Sequence, residues 1–386
     1  MTWVLSVAIA AAIAVGGLAG PASARVPHRF VGTFADSPFL DGAGVTEREF
    51  GVMVTAGVGS VRDVFNWNLA QPYGSWSEVP EERRASYRDE DGIPTDWSVI
   101  DRQMRLVAER RIALVPVVLV TPAWAARHPG DGTSAPSDPE AYARFLGALV
   151  RRYGPRGSYW TENPALPARP LRRWQIWNEP HFREFWREQP YEREYVALLR
   201  AAHRAIKAAD PGARVVLAGL ANKSWRYLAD LYRAGAGRHF DVFAIHPFTR
   251  QVDGVLEILK RGRRVARRFG DARKPMMVTE FSWTSGRGQL RTSFGWDTTE
   301  RGQARKVRAA LRRLADWRRR LRIHSVFWYT WLSPDRDRDY PFDYSGLSRI
   351  QDGEVVRKPA FRAFRASALR LVGCRTKEGR ADRCAR

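Results

Sequence analysis

The sequence predicts an α/β protein, a closed (β/α)8 barrel of the TIM type built as a single domain. Three observations lead to this fold class. Short runs rich in Val, Ile, Phe and Trp alternate with longer segments of helical periodicity, which indicates repeated βα units around a parallel sheet. Eight such runs can be counted along the chain. The chain length also fits one barrel, since TIM barrels have roughly 250 residues and can exceed 400 with insertions.

The eight predicted strands are separated by segments long enough to hold a helix. In chain order they cover residues 28–34, 58–67, 112–120, 172–179, 214–220, 240–248, 275–283 and 324–332. Each run is rich in β-branched and aromatic residues, which favour strands. Three longer connections, 71–95, 121–137 and 284–298, follow the second, third and seventh strands. They therefore follow carboxyl ends of strands, where a TIM barrel forms its active site.

The predicted helices between the strands have recognisable ends. Asp138 is placed to cap a helix whose first residue is Pro139, and the apolar residues that follow share one face. A second helix is predicted from about Tyr191 to the turn that begins at Asp210. The last helix, at about 358–372, is expected to follow the eighth strand directly.

Both ends of the chain are predicted to lie outside the barrel. Residues 1–24 form a mostly apolar segment without charged side chains that ends in small residues, which predicts a signal peptide and secretion. A membrane anchor is the alternative, although the apolar stretch is short for a bilayer span. The barrel domain is then expected at 25–372, before a basic tail at 373–386. The tail holds Cys374 and Cys384, which an exported protein could join in a disulfide.

The chain is strongly basic, with a formal net charge of +23. Such a charge favours an anionic partner, and an acidic polysaccharide is one candidate. Only seven of the 64 basic residues are lysine, and arginine is spread through nearly every predicted helix. Because no basic tract interleaved with aromatic residues is present, nucleic-acid binding is not expected. Once residues 1–24 are removed, no stable membrane insertion is expected either.

Two motifs contain the candidate catalytic carboxyl groups. The fourth predicted strand ends in Asn178, Glu179 and Pro180, and the seventh has a single carboxylate, Glu280, near its carboxyl end. Strands four and seven face each other across the mouth of a closed barrel, so these two carboxyl groups can meet in space. Two carboxyl groups about 5–5.5 Å apart are what a retaining glycosidase needs, one to protonate the leaving oxygen and one to attack the anomeric carbon.

With these motifs the sequence resembles the clan A glycoside hydrolases, nearest to the family 39 and family 5 type, over essentially the whole chain after residue 24. The resemblance implies that Glu179 is the general acid/base, Glu280 the nucleophile, and Asn178 a ligand of the sugar 2-hydroxyl. It also implies that Arg62 bonds the nucleophile and that His246 lies at the site. Where the clan has a tyrosine two residues after this histidine, the present chain has Phe248, so a hydroxyl contact to the nucleophile is not expected from that position.

Further expectations follow from the roles of the two carboxyl groups. Glu179 must be protonated near neutral pH and Glu280 ionised, which a cation such as Arg62 beside Glu280 would favour. Strict strand alternation points Asn178 and Glu179 to opposite faces, so both can reach the site only if the strand bulges or ends there. Two tryptophans near strand ends, Trp67 and Trp331, are predicted to stack on sugar faces.

The sequence leaves open which sugar is the substrate and whether the protein hydrolyses, transfers or only binds it. The resemblance implies a poly- or oligosaccharide with equatorial, mostly β, bonds as substrate, and no metal or cofactor is required by the double displacement. A transglycosylase and a non-catalytic carbohydrate-binding barrel are the two alternatives. The intact set of Asn178, Glu179 and Glu280 argues against the second. His246 could equally be a structural histidine of the core.

Overall fold

Eight parallel strands close into a barrel in the computed structural model, which describes residues 25–35 and 43–385. Neighbouring strands in the chain are neighbours in the barrel, and the last strand pairs with the first. The strands are β1 (Val31–Phe34), β2 (Ser60–Asn66), β3 (Ala113–Leu119), β4 (Arg173–Ile176), β5 (Arg214–Leu220), β6 (Val242–Ile245), β7 (Met276–Phe281) and β8 (Ile323–Trp328). All eight lie within or close to the predicted runs, so the predicted fold class is confirmed.

Ten helices are present in the described part of the chain, and eight of them alternate with the strands around the barrel. They are α1 (Ala43–Thr55), α2 (Trp67–Ala70), α3 (Ser98–Glu109), α4 (Pro139–Tyr153), α5 (Ser158–Glu162), α6 (Glu192–Ala209), α7 (Ser224–Arg233), α8 (Val252–Arg268), α9 (Glu300–Leu321) and α10 (Pro359–Val372). The short helices α2 and α5 lie in connections. No helix of residues 25–35 and 43–385 is long and apolar enough to cross a bilayer.

The predicted start of α4 shows how local sequence sets these elements. The Asp138 carboxylate accepts a hydrogen bond of 2.9 Å from the backbone N–H of Glu140, which has no partner inside the helix. Pro139 occupies the first turn, where its missing N–H costs nothing. Eleven of the 15 residues of α4 are buried, so the helix is held mainly by packing on the barrel.

The connection after β8 differs from expectation. The last helix does not follow β8 directly, because a three-stranded sheet intervenes, formed by Leu332–Ser333, Ser348–Gln351 and Glu354–Arg357. Its hairpin turns at Asp352 and Gly353, both with positive φ, as a two-residue turn of this twist requires. The Asp-Gly pair was the available sequence signal. A second small hairpin, Arg88–Glu90 with Ile93–Thr95, lies in the connection after β2.

The carboxyl-terminal residues pack back onto the barrel. Cys374 and Cys384 form a disulfide, and the buried Ala381 donates its backbone N–H to the carbonyl of Arg110. The Asp382 carboxylate accepts a hydrogen bond of 2.7 Å from Arg169, just before β4. These contacts place the tail at the end of the barrel where the strands begin. The predicted signal peptide, 1–24, lies outside the described residues.

The interior of the barrel holds a small apolar cluster that is separate from the main core between the sheet and the helices. Its six buried side chains come from five strands and are Val115, Val216, Val242, Ala244, Met277 and Phe327. Such a packed interior is typical of TIM barrels, which are not open pores. Arg62 of β2, Gln175 of β4 and Glu280 of β7 are buried polar residues on strands of the same barrel.

Candidate active site

The end of β4 presents two consecutive polar residues to the site. The strand stops at Ile176, earlier than predicted, and Trp177 and Glu179 have φ angles of 65° and 41°. Asn178 pairs with Gly219 of β5 as an isolated bridge, and the backbone N–H of Glu179 donates to the carbonyl of Gly219 at 3.1 Å. Because the backbone leaves the strand conformation here, the alternation that would separate Asn178 from Glu179 no longer applies.

Arg62 of β2 connects the two candidate catalytic motifs. Its guanidinium donates to Glu280 Oε1 at 2.6 Å, to Asn178 Oδ1 at 2.8 Å and to Gln175 Oε1 at 2.7 Å. The side chain is only 1% exposed. The predicted contact between Arg62 and Glu280 is thus present in the structure. Gln175 lies on β4, two residues before Trp177, and was not singled out from the sequence. The alternation of side chains along β4 was a usable signal, because it predicts that Gln175 points into the barrel.

Glu179 and Glu280 lie close together beside His246. The His246 Nδ1 atom is 2.7 Å from Glu179 Oε1 and 3.7 Å from Glu280 Oε2. One oxygen of each carboxyl group and this nitrogen all lie within 4.8 Å of one another. All three side chains are buried. An oxygen of Glu179 thus lies within 4.8 Å of an oxygen of Glu280, a closeness that fits the ~5–5.5 Å spacing of a retaining pair better than the ~6.5–9.5 Å of an inverting pair.

The surroundings of the two carboxyl groups differ in charge. Burial raises the pKa of Glu179 to about 8, although Arg62 opposes the shift. Burial also raises the pKa of Glu280, but the Arg62 guanidinium opposes this shift through its charge and through a direct hydrogen bond. Burial lowers the pKa of His246 to about 4, so its ring is neutral beside Glu179. The site therefore favours a protonated Glu179 and an ionised Glu280 near neutral pH.

Glu179, His246 and Glu280 are also the residues of this site that could bind a metal ion through ligand atoms within 4.8 Å of one another. The Arg62 guanidinium already bonds Glu280 and would repel a divalent cation at this position. The arrangement thus matches an acid–nucleophile pair better than a metal centre.

Gly219 allows His246 to lie where it does. A Cβ atom added to Gly219 would be 1.9 Å from His246 Nε2, so any side chain here displaces the ring. We expect Gly219→Ala to lower kcat roughly 100-fold, because small displacements of catalytic groups have effects of that size. Steady-state kinetics would measure this. Gly51→Ala is the matched control, since nothing lies within 4 Å of its added Cβ. A wild-type kcat in Gly219→Ala would contradict the role given to this contact.

The two tryptophans predicted to stack on sugar are core residues, and that prediction is wrong. Trp67 and Trp331 are both 0% exposed. The Trp67 indole donates to Gln71 Oε1 at 2.7 Å, and the Trp331 indole donates to Glu49 Oε2 at 2.7 Å. A ring with no exposed face cannot stack on a ligand, so proximity to a strand end was an insufficient criterion.

A different set of aromatic residues lies beside the site. Phe248, with its ring centroid 6.3 Å from that of His246, belongs to a chain of touching rings that ends at two exposed members, Phe294 (51%) and Tyr340 (50%). The rings of this cluster are Phe248, Phe294, Trp296, Tyr329, Tyr340 and Phe342. They come from the connections after β6, β7 and β8. Of these connections, the one after β7 had been assigned to the active site from its length.

The fold corresponds to that of a known class of solved structures. No protein-family model matches the chain, and no curated protein matches it. Among solved structures, a monomeric β-xylosidase from Caulobacter crescentus is similar with a TM-score of 0.62 and 18% identity over 89% of this chain and 69% of that one. A family 39 enzyme from Xanthomonas axonopodis pv. citri has a TM-score of 0.62 and 19% identity, covering 89% and 67%.

A third similar structure is a glucosidase from Croceicoccus marinus, with a TM-score of 0.64 and 15% identity over 93% of this chain and 70% of that one. The chain thus spans roughly two thirds of the length of these structures. The chain has the (β/α)8 fold of the clan A glycoside hydrolases of families 39 and 51. At these identities the likeness establishes the fold, and the activity has to be argued from the site.

Proposed function

We propose that this protein is a retaining glycoside hydrolase that acts by double displacement. The observation that carries the proposal is the pair of buried carboxyl groups of Glu179, just after β4, and Glu280, on β7, of which one oxygen each lies within 4.8 Å of the other. Arg62 bonds Glu280, whereas Glu179 forms no bond to a guanidinium of any residue that the structure describes. This asymmetry assigns Glu280 as the nucleophile and Glu179 as the general acid/base. The same fold in similar glycosidases supports the assignment.

In the first step, Glu280 attacks the anomeric carbon while Glu179 gives its proton to the glycosidic oxygen. The bond from the anomeric carbon to that oxygen breaks, and an ester to Glu280 forms. Arg62 holds Oε1 of Glu280, so Oε2 is the attacking atom. Arg62 also holds the Asn178 side-chain oxygen, which leaves the amide nitrogen to donate to a sugar hydroxyl.

In the second step, ionised Glu179 accepts a proton from water, which attacks the same carbon and releases Glu280. Like charges on the two carboxyl groups disfavour ionisation of either one. Because the ester removes the charge of Glu280, ionisation of Glu179 becomes easier at the stage when a base is required. His246 contacts the Glu179 carboxyl group in either protonation state, since its neutral ring nitrogen can donate or accept according to tautomer.

The proposed substrate is a poly- or oligosaccharide with β bonds. The exposed rings of Phe294 and Tyr340 can stack on the apolar C–H faces of a sugar, which is a usual mode of carbohydrate binding. The xylosidase and glucosidase of the same fold make β-xylosides and β-glucosides the first candidates. An acidic polysaccharide is a narrower candidate, supported by the exposed Arg183, Arg187 and Arg250 on the connections after β4 and β6.

Anomeric stereochemistry tests the proposal. Proton NMR during hydrolysis of a panel of aryl β-glycosides should show the β-anomer of the free sugar first, before mutarotation produces the α-anomer. Initial release of the α-anomer would exclude a double displacement. Added acceptor sugars in the same reactions separate hydrolysis from transglycosylation. Binding of oligosaccharides without turnover across the panel would favour a carbohydrate-binding barrel.

Export is the proposed location, and two features support it. One is the uncharged apolar segment at 1–24. The other is the disulfide between Cys374 and Cys384, a bond that persists in oxidising compartments. The barrel at 25–372 is the proposed catalytic domain.

A further inference from the structure

A large basic cavity lies at the opposite end of the barrel from the catalytic pair. Its volume is about 1130 Å³, and its lining includes residues at or just before the starts of β1, β2, β3, β4, β7 and β8. Eight arginines and two histidines line it, together with one acidic residue, Asp382. We call it the amino-end basin. Most of its charge comes from residues far apart in the sequence, which the barrel brings together.

Few of these arginines are neutralised by the protein. Asp382 is shared between Arg169, at 2.7 Å, and Arg111, at 3.6 Å. Arg172 lies 3.8 Å from an oxygen of Asp210. The other five arginines of the basin form no ion pair with any residue that the structure describes, and these are Arg29, Arg173, Arg318, Arg319 and Arg322. An excess of guanidinium groups without counter-ions therefore faces one cavity.

The electrostatic environment of the basin is correspondingly unfavourable for further positive charge. Burial lowers the pKa of Arg173, and the nearby Arg29 and Arg214 lower it further. Burial together with Arg173 and Arg29 lowers the pKa of His324 to about 4. Positive groups that repel one another in a partly enclosed space destabilise the empty protein, and an anion would relieve this repulsion.

Unused hydrogen-bonding groups point to the same conclusion. Arg111 Nε and His28 Nδ1 are buried and have no hydrogen-bond partner among the described residues. Both side chains line the basin. Buried polar atoms are normally paired, and each one left without a partner destabilises the folded protein. Oxyanions accept hydrogen bonds from guanidinium groups in a bidentate manner, so they suit this lining better than a neutral ligand does.

We propose that the amino-end basin binds a compact ligand with several closely spaced oxyanion groups, such as the phosphates of an oligophosphate or the carboxylates of an oligouronate. The site is separate from the glycosidase site, because it lies where the strands begin and Glu179 and Glu280 lie where they end. It does not depend on the proposed catalytic function. The arginines of the basin also account for part of the high positive charge of the chain, at the end of the barrel opposite the proposed glycosidase site.

Isothermal titration calorimetry at 150 mM NaCl would test the proposal with inorganic tripolyphosphate and trigalacturonate, and with maltotriose as the neutral comparison. We expect at least one of the two anions to bind and maltotriose not to bind in the basin. Binding of only one anion identifies phosphate or carboxylate as the preferred group. If neither anion binds, the proposal is overturned.

Two basin variants and one matched control distinguish a specific anion-binding site from non-specific electrostatic attraction. Arg319→Gln with Arg322→Asn removes two exposed charges, and Arg322 has a positive φ of 53° that asparagine accepts. Arg173→Gln removes a more buried charge. The control, Arg200→Gln with Arg301→Gln, removes two exposed charges outside the basin.

We expect the double basin variant to raise the Kd for the bound anion by about 10-fold or more, and Arg173→Gln to raise it similarly. The control should change the Kd by less than about twofold, and all variants should hydrolyse aryl glycosides like the wild type. Equal losses of affinity in the basin variant and the control would show non-specific attraction and overturn the proposal.

Discussion

Replacing Glu280 by Gln is expected to lower kcat for aryl β-glycosides by about 10⁴-fold or more, because the amide cannot form the glycosyl ester. The amide oxygen can still accept the hydrogen bond from Arg62, so the site should keep its shape and its sugar binding. Without a carboxylate, however, Arg62 loses its charged partner in a buried position, and some loss of melting temperature is expected. Steady-state kinetics and thermal unfolding would measure the two effects separately.

Glu184→Gln is the matched control for this substitution. Glu184 is an exposed carboxylate on the connection after β4, and its charge acts on Glu179 without contributing to the pair itself. Its variant should retain activity within a fewfold of the wild type. Adding azide to Glu280→Ala should restore turnover and yield an α-glycosyl azide, since a small anion then replaces the missing nucleophile. Wild-type activity in Glu280→Gln would reject the assignment of the nucleophile.

Replacing Glu179 by Gln has the second large expected effect, which depends on the leaving group. General acid catalysis contributes about 10²–10⁴-fold, so kcat/KM for poor leaving groups should fall by that amount. Activated aryl glycosides need less protonation, and their kcat/KM should fall much less. A Brønsted plot against the pKa of the leaving group would show the difference as a steeper slope in the variant. Equal losses for all leaving groups would contradict the acid role.

The pH profile checks the same residue independently. Because Glu179 must be protonated in the first step and its pKa is raised to about 8, wild-type kcat/KM should fall as pH rises through about 8. This descending limb should be absent from Glu179→Gln. An unchanged alkaline limb in the variant would assign it to another group.

The free energy of unfolding should also depend on pH through the titration of Glu179. Between the unfolded pKa of about 4.5 and the folded pKa of about 8, the folded protein binds more protons at Glu179 than the unfolded chain does. The contribution of Glu179 to the free energy of unfolding therefore decreases as pH rises through this window. The melting temperature of Glu179→Gln relative to the wild type should accordingly be higher at pH 9 than at pH 5.

The fold and the reacting pair could be predicted because each depends on local, repeated signals. The eight apolar runs contain or adjoin the strands, and Glu179 and Glu280 lie at or near the carboxyl ends of the fourth and seventh runs. Once a closed barrel is inferred, residues 101 positions apart are brought to the same mouth. The contact of Arg62 with Glu280 was implied by the resemblance to the clan A glycoside hydrolases, and the structure contains it.

Side-chain direction and long connections could not be predicted in this way. Trp67 begins the short helix α2, and that turn directs its ring into the core against Phe145 rather than toward the mouth. The sheet after β8 depends on pairing between Leu332–Ser333 and Ser348–Gln351, which no local pattern specifies. The amino-end basin had a sequence signal that was missed, because Arg29, Arg111, Arg172 and Arg322 all lie one to two residues before a predicted or observed strand.

The placement of Arg62 has a consequence for engineering the protein. Gln175 and Glu280, which Arg62 bonds, belong like Arg62 itself to strands of the barrel, whereas the exposed rings of Phe294 and Tyr340 belong to connections. The proposed nucleophile and its guanidinium partner thus belong to the barrel strands, whereas the exposed rings available for choosing a sugar belong to the connections after β7 and β8. Grafting or diversifying the connections after β7 and β8 is accordingly a route to new sugar preferences that leaves the reaction itself in place.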